Sequence, residues 1–495
     1  MCMTTKEMGV KNTANADTII NSADSTTSST GSSDDEVEPL TTKAQRCGFY
    51  YLTPQAARNI PLYKYRGEDR SFLYKYVLSP LAQYLVDNWT PRTVAPNVIT
   101  FFGLSLMMAA YCAIWYYAPN LKLEKVVVDD DNHGHKETGS LLEENEEVFD
   151  VPRWIFLFNC IAMLAYQTLD NMDGKQARRT GSSSPLGLLF DHGCDAINSI
   201  FGSANWIVAM GLDPFSTQDS LLCWTIVLGP YLMFYIATWE EYYTGELILP
   251  IFNGPNEGLV GGAMLSLTTY FCGPEFWHQF SWFDQALQPL FSSLLPSSNL
   301  EMLPRMRNAD IVVLAACFGI FQEILLKMAF VIGNYGRQAL LDVLPALIVS
   351  IATFVIGYCD PSIWLDIPRT SLHLVAALMV EMVTELMRMH ISEEKFQPFS
   401  RWLIAPLLVL TVLVVTMTCF GAETPSWVGD YLTAYSTAAC TYVLMKVCIV
   451  VDEICRVLNV WCFDIVTPRK QQYYAHETPH NYLTSTGGSG QAKSE

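Results

Sequence analysis

Residues 170–195 read D-N-M-D-G-K-Q-A-R-R-T-G-S-S-S-P-L-G-L-L-F-D-H-G-C-D, and long apolar runs flank them on both sides. Four aspartates therefore fall where a membrane-spanning helix hairpin is expected. A charged residue at the centre of a spanning helix costs roughly 2.5–3.5 kcal/mol even on a lenient insertion scale, so four cost on the order of 10 kcal/mol without compensation. Divalent cations are the natural compensation for clustered carboxylates. Asp170 and Asp173 are spaced i,i+3, and Asp191 and Asp195 i,i+4, so each pair shares one helix face. Between the pairs, Arg178 and Arg179 suit a last helical turn and Gly181 suits a C-cap. Ser184 can then N-cap a second helix with Pro185 at its first position. At 1.5 Å per residue from that turn, Asp173 and Asp191 lie about 10 Å deep, and Asp170 and Asp195 about 15 Å deep. An antiparallel hairpin brings the four carboxylates together.

The pattern D-x2-D-G-x2-A-R-x8-G-x3-D-x3-D is met at every fixed position, by Asp170, Asp173, Gly174, Ala177, Arg178, Gly187, Asp191 and Asp195. It is the signature of the CDP-alcohol phosphotransferases, and the chain resembles that family over roughly residues 52–465. The words around the signature, with V-A-P-N-V-I-T at residues 94–100 and W-E-E-Y-Y-T-G-E-L-I-L-P at 239–250, are similar to the eukaryotic choline/ethanolamine phosphotransferases.

The composition agrees with a membrane protein. Of 495 residues, 51% are hydrophobic and only 16% charged, the charge lying mostly in the tails and one loop. The expected fold is an all-α polytopic membrane protein with about ten transmembrane helices and N-terminal interfacial amphipathic helices. The formal charge of -19 comes largely from the acidic tail and from the stretch between Glu124 and Asp150, which read as solvated segments. The 14 cysteines are scattered without a C-x-x-C pair, which points to reduced thiols rather than a disulfide framework. Nothing points to a nucleic-acid partner.

Residues 1–43 form an acidic, Ser/Thr-rich tail expected to be disordered, with no cleavable signal peptide. Residues 44–90 carry basic and aromatic side chains together, as in helices lying on an anionic leaflet. Residues 91–239 hold the catalytic helices, interrupted by an acidic loop at 119–152. Residues 240–465 supply further helices for lipid substrate and oligomer contacts, and 466–495 form a loose tail. Spans are expected near 97–117, 153–174, 185–211, 221–239, 258–273, 311–332, 338–358, 369–389, 402–420 and 431–457. Basic residues gather on the N-terminal side, which by the positive-inside rule places both termini and the hairpin mouth in the cytosol. His133 and His135 in the acidic loop are too few for a metal site, and the sequon at Asn88 would be cytosolic and unused.

The resemblance implies transfer of phosphocholine or phosphoethanolamine from CDP-choline or CDP-ethanolamine to diacylglycerol in the endoplasmic reticulum or Golgi membrane, with release of CMP. It implies two Mg2+ or Mn2+ ions held by Asp170, Asp173, Asp191 and Asp195. Asn97, Gly174, Ala177 and Arg178 are expected to bind the CDP-alcohol, Arg178 through its fork of donors. Two residues compete as the base, the motif aspartate Asp195 and His192 of D-H-G-C-D; a carboxylate shared by cations is the poorer base, which favours His192. The eukaryotic enzymes commonly carry a glutamate after the motif glycine, where this chain has Leu188. Trp239, Tyr242 and Tyr243 can be read as a cage for a quaternary ammonium or as an interfacial aromatic belt. A homodimer is expected because relatives are dimers. The alternatives are a sibling acting on another alcohol and, in a different class, a cation or metabolite transporter, which the absence of internal repeats disfavours.

Overall fold

The structure is a computed structural model, and it describes residues 49–127, 147–251, 253–280 and 306–469. The expectations for the two tails and for His133 and His135 lie outside the described residues. Short helices α1 (Pro54–Asn59) and α2 (Ser79–Asn88) precede the bundle. The long helices follow: α3 (Pro96–Tyr117), α4 (Trp154–Thr180), α5 (Pro185–Ala209), α6 (Thr217–Thr244) and α7 (Leu259–Cys272). After them come α8 (Asn308–Tyr335), α9 (Leu344–Cys359), α10 (Pro368–Ser392), α11 (Ala405–Cys419) and α12 (Val428–Leu458). These ten stand where the apolar runs place spans, and five of them are long and apolar enough to cross a membrane by the strictest reading. The chain is an all-α polytopic membrane protein.

Strand structure is confined to two short pairs among the described residues. β1 (Gly67–Asp69) pairs in parallel with β4 (Leu247–Leu249), and β2 (Lys125–Val127) pairs antiparallel with β3 (Glu147–Phe149). The segment expected as interfacial helices is thus helical only in part. Its extended middle is sewn to the chain just beyond α6, while Phe72, Tyr76, Leu81 and Tyr84 stay exposed, as an interfacial face requires.

α10 is the buried axis of the bundle, packed by α5, α6 and α12, whereas α4 lies between α3 and α7. α5 and α7 approach so closely that a side chain at Gly262 would collide with the Trp206 indole. α10 carries its charges in pairs, as buried charges must. Glu381 and Glu385 meet Lys446 of α12 at 2.8 and 2.9 Å, and Arg388 and Arg401 complete the network. Glu323 and Lys327 of α8 are 3.9 Å apart, and Lys327 bonds more closely to Glu240 of α6.

The hairpin mouth, α1, α2 and the end of α12 share one end of the bundle. Glu453 near the end of α12 accepts the backbone N–H groups of Tyr50, Tyr51 and Leu52, and Arg388 donates to Tyr51 O. Arg179 donates to the carbonyls of Val86 and Thr90, and Gln176 to those of Pro91 and Val94.

Candidate active site

The site is the turn between α4 and α5 and the three helical turns on each side of it. α4 ends at Gly181, whose φ of +68° closes the helix in the left-handed region that glycine adopts at no steric cost. Ser184 then caps α5, its hydroxyl accepting from Gly187 N at 3.4 Å, with Pro185 as first helical residue. This local chemistry reverses the chain within four residues and sets the two aspartate pairs side by side.

Carboxylate oxygens of Asp170, Asp173 and Asp191 all lie within 4.8 Å of one another. Oxygens bound to one Mg2+ or Ca2+ sit about 2.0–2.6 Å from it, so a common ion tolerates ligand pairs up to about 5 Å apart. Asp191 Oδ1 is buried without a hydrogen-bond partner, an arrangement that a bound cation would relieve. The donor set is all oxygen and anionic, as hard divalent cations prefer. The residues fit such an ion.

Asp195 stands outside that three-carboxylate group. Its Oδ1 accepts the Tyr166 hydroxyl at 2.5 Å. Asp173 Oδ2 accepts the Thr100 hydroxyl of α3 at the same distance, 2.5 Å. Neither hydroxyl was singled out as a site residue in the sequence, although Tyr166 precedes Asp170 by one helical turn and Thr100 closes the V-A-P-N-V-I-T word.

The residues expected at the CDP-alcohol divide. Arg178 is exposed at the mouth and lies over Gly174, its Nη1 3.5 Å from where a Cβ on that glycine would stand. Its neighbours Lys175, Gln176 and Arg179 are turned to Ser79, Val94 and Val86, so they brace the hairpin and leave Arg178 facing the site. Asn97 Oδ1 lies 3.7 Å from a Cβ built on Gly187, which puts this amide across the hairpin's second glycine. Its Nδ2 donates to Cys462 O at 3.1 Å. The chain after α12 thus folds back over the catalytic helices, with Phe463 packed on Phe101 and Phe190 at centroid distances of 5.9 and 5.5 Å.

His192, between the two signature aspartates of α5, is buried. Nδ1 lies 3.1 Å from Leu188 O, and Nε2 lies 3.1 Å from Glu241 Oε2 on α6. The Leu188 side chain packs against the cluster of Leu186, Leu189, Ile391 and the segment at Phe49, Leu52 and Ile60, so this position is apolar packing.

Trp239, Tyr242 and Tyr243 do not line the aspartate cluster. Trp239 is fully buried and donates to Ala339 O at 3.1 Å. Tyr242 donates to Glu394 O at 3.1 Å and accepts from Phe396 N at 2.9 Å, and Tyr243 donates to Asp342 at 2.6 Å. Each spends its polar atom on pinning α6 to the connections that flank α9 and α10.

Against known proteins, residues 93–245 match the CDP-alcohol phosphatidyltransferase family. An uncharacterized CDP-alcohol phosphatidyltransferase class-I family protein of Dictyostelium discoideum is 30% identical over 439 residues, which cover 84% of this chain and 98% of that protein. Choline/ethanolaminephosphotransferase 2 of Arabidopsis thaliana is 30% identical over 66% of this chain and 74% of its own length. Choline/ethanolaminephosphotransferase 1 of Saccharomyces cerevisiae is 27% identical over 77% of this chain and 90% of its own length. With its signature aspartates converging on one hairpin and with such a relative 30% identical over 84% of its length, this chain belongs to the CDP-alcohol phosphatidyltransferase family.

Proposed function

We propose that this protein transfers phosphocholine or phosphoethanolamine from the corresponding CDP-alcohol to the hydroxyl of diacylglycerol, releasing CMP. The observation that carries the reading is the convergence of Asp170, Asp173 and Asp191 within 4.8 Å on the hairpin. The names of the yeast and Arabidopsis relatives support choline and ethanolamine as the alcohols. Two Mg2+ or Mn2+ ions on the signature aspartates, Asp195 included, would neutralise the pyrophosphate and steady the attacking and leaving oxygens.

The chain's own residues do the rest. Arg178, with Gly174 and Ala177 leaving room beside it, holds a phosphate, and Asn97 steadies the nucleotide from α3. The diacylglycerol O–H bond breaks as its oxygen bonds to the phosphorus bearing the alcohol. The bridging P–O bond breaks in turn, and its electron pair leaves with CMP. His192 takes the proton and later gives it to water, with Asp195 the rival for that role. The site is set in the endoplasmic reticulum or Golgi membrane with its mouth to the cytosol, where soluble CDP-alcohols are found.

The test is purified protein with diacylglycerol, Mg2+ or Mn2+, and labelled CDP-choline against CDP-ethanolamine. Phospholipid and CMP should form in equal amounts with one or both donors. Asp170→Asn or Asp191→Asn should abolish transfer while the protein still inserts, and EDTA should do so reversibly. Substantial transfer in EDTA would sink the metal reading, and transfer only with another CDP-alcohol would reassign the substrate.

A further inference from the structure

We infer that Asn198 of α5 binds the acceptor lipid, its amide donating to an ester carbonyl of diacylglycerol. The inference rests on the proposed reaction and names a further binding residue for it. Asn198 follows Asp191 and Asp195 in the i, i+4, i+7 pattern of one helix face, so it lies on the aspartate side of α5. At 1.5 Å per residue it stands about 4.5 Å deeper than Asp195, on the side away from the mouth. It is 4% exposed, and its Oδ1 is buried without a hydrogen-bond partner. Among the described residues its NH2 group makes no hydrogen bond either.

That state sets it apart. Every other buried Asn or Gln side chain among the described residues bonds through at least one end, as Asn205 does to Asn159 at 2.8 Å and Gln167 to Asn256 at 2.9 Å. α4 supplies no partner at this level. Tyr166 meets Asp195 and Asn159 meets Asn205, and between those contacts α4 turns the apolar Ala162 and Met163 into the core. α5 supplies none either, since Gly202, one turn on, has no side chain, and Oδ1 lies 3.8 Å from where its Cβ would stand. Oδ1 is thus turned down the helix, away from the aspartates, and the NH2 end is left for a ligand. An unbonded amide at hydrocarbon depth is costly, and a substrate acceptor placed there relieves the cost.

The position selects the ligand. The CDP-alcohol comes from the mouth, where Arg178 and Asn97 hold it. Asn198 lies beyond the aspartates in the apolar layer, the side from which a lipid approaches. For its hydroxyl to meet phosphorus at the aspartates, diacylglycerol must come from that layer, and its ester carbonyls follow the hydroxyl within a few bonds. They accept hydrogen bonds and carry no charge, which suits a neutral N–H donor.

The test compares two acceptors of equal chain length on the full-length protein, with Mg2+ and whichever CDP-alcohol is used. One is a diacylglycerol; the other is a dialkylglycerol, which keeps the hydroxyl and lacks both carbonyls. The parent protein should favour the diacyl acceptor in kcat/KM by roughly three- to tenfold, the worth of one hydrogen bond. Asn198→Ala should lose roughly that factor with the diacyl acceptor alone. The dialkyl acceptor, KM for the CDP-alcohol and the Mg2+ half-saturation should stay within about twofold. Equal loss with both acceptors would overturn the inference, as would a shift confined to the CDP-alcohol or Mg2+, or a parent that does not distinguish the acceptors. Should Asn198→Ala fold poorly, Asn198→Leu, of similar size and without the donor, should show the same loss. It should also melt in detergent no lower than the parent, because replacing an unbonded buried amide by an apolar group breaks no bond. A lower melting temperature with the diacyl preference intact would mark the amide as structural and overturn the inference. If the parent transfers to neither acceptor, the proposed reaction fails and the inference with it.

Discussion

Two hydroxyls decide how the aspartates are presented. Thr100 from α3 fixes one oxygen of Asp173, and Tyr166 from α4 fixes one oxygen of Asp195, each at 2.5 Å. Partners of this kind orient ligands and tune their affinity, and losing one usually costs 10–100-fold in metal affinity or activity. Thr100→Val and Tyr166→Phe should therefore raise the Mg2+ half-saturation of transfer roughly tenfold or more, with kcat at saturating Mg2+ changed much less. A Mg2+ titration of initial rates reads this directly, and an unshifted midpoint would remove both hydroxyls from the site. Arg178→Lys should raise KM for the CDP-alcohol, because a point charge cannot make the paired hydrogen bonds of a guanidinium. At this scale the aspartates were legible because helical spacing lies within one stretch of chain. Thr100 and Glu241 were not, because they reach the site only through the crossing of α3 and α6 with the hairpin, which no local pattern encodes.

The elements were the most legible level. A span needs about 20 apolar residues, and such runs leave little ambiguity about where helices lie. The starts were less clear. The helix expected from residue 338 begins with a 3-10 turn at Arg337–Asp342, and α9 opens only at Leu344, next to Pro345. Likewise a 3-10 turn at Trp402–Ile404 precedes α11, which opens with Ala405 and Pro406. Proline lacks the N–H that a continuing helix would use, so the regular helix starts at it. The β1–β4 pairing was not visible, since it joins segments separated by most of the catalytic helices. Between elements, Lys327 ties α8 to α6 through the buried Glu240. Lys327→Met leaves Glu240 and Glu323 buried together, and breaking a buried pair on one side costs about 3–5 kcal/mol. The variant should unfold at lower temperature in detergent, whereas Glu240→Gln/Lys327→Met should recover much of the loss. Equal destabilisation in the single and double variants would show that the ion pair does not hold these helices together.

The whole molecule has one basic end and one poorer in cations. Lys64, Arg66, Arg70 and Lys75, the hairpin cluster Lys175, Arg178 and Arg179, and Arg337, Arg388, Arg401, Arg456 and Arg469 all belong to the end where α4 finishes and α5 begins. At the other end the described cations are Lys122, Lys125, Arg153, Arg307 and Arg369, and several are committed to partners there. Lys122 pairs with Asp213 at 2.8 Å, Arg307 with Asp219 at 2.6 Å, and Arg369 donates to Ala118 O at 2.7 Å. Cations near helix ends set orientation through the positive-inside rule, and on the proposed topology the hairpin end faces the cytosol. Two exposed positions report the two ends: Ser183 in the hairpin turn and Gln218 at the start of α6. In sealed endoplasmic reticulum vesicles with the cytosolic face outward, a membrane-impermeant maleimide should modify Ser183→Cys above the background of the parent protein. Gln218→Cys should react only after detergent opens the vesicles. The opposite pattern would turn the molecule over and put the mouth of the site on the side away from soluble CDP-alcohols, a placement that the proposed reaction could not use.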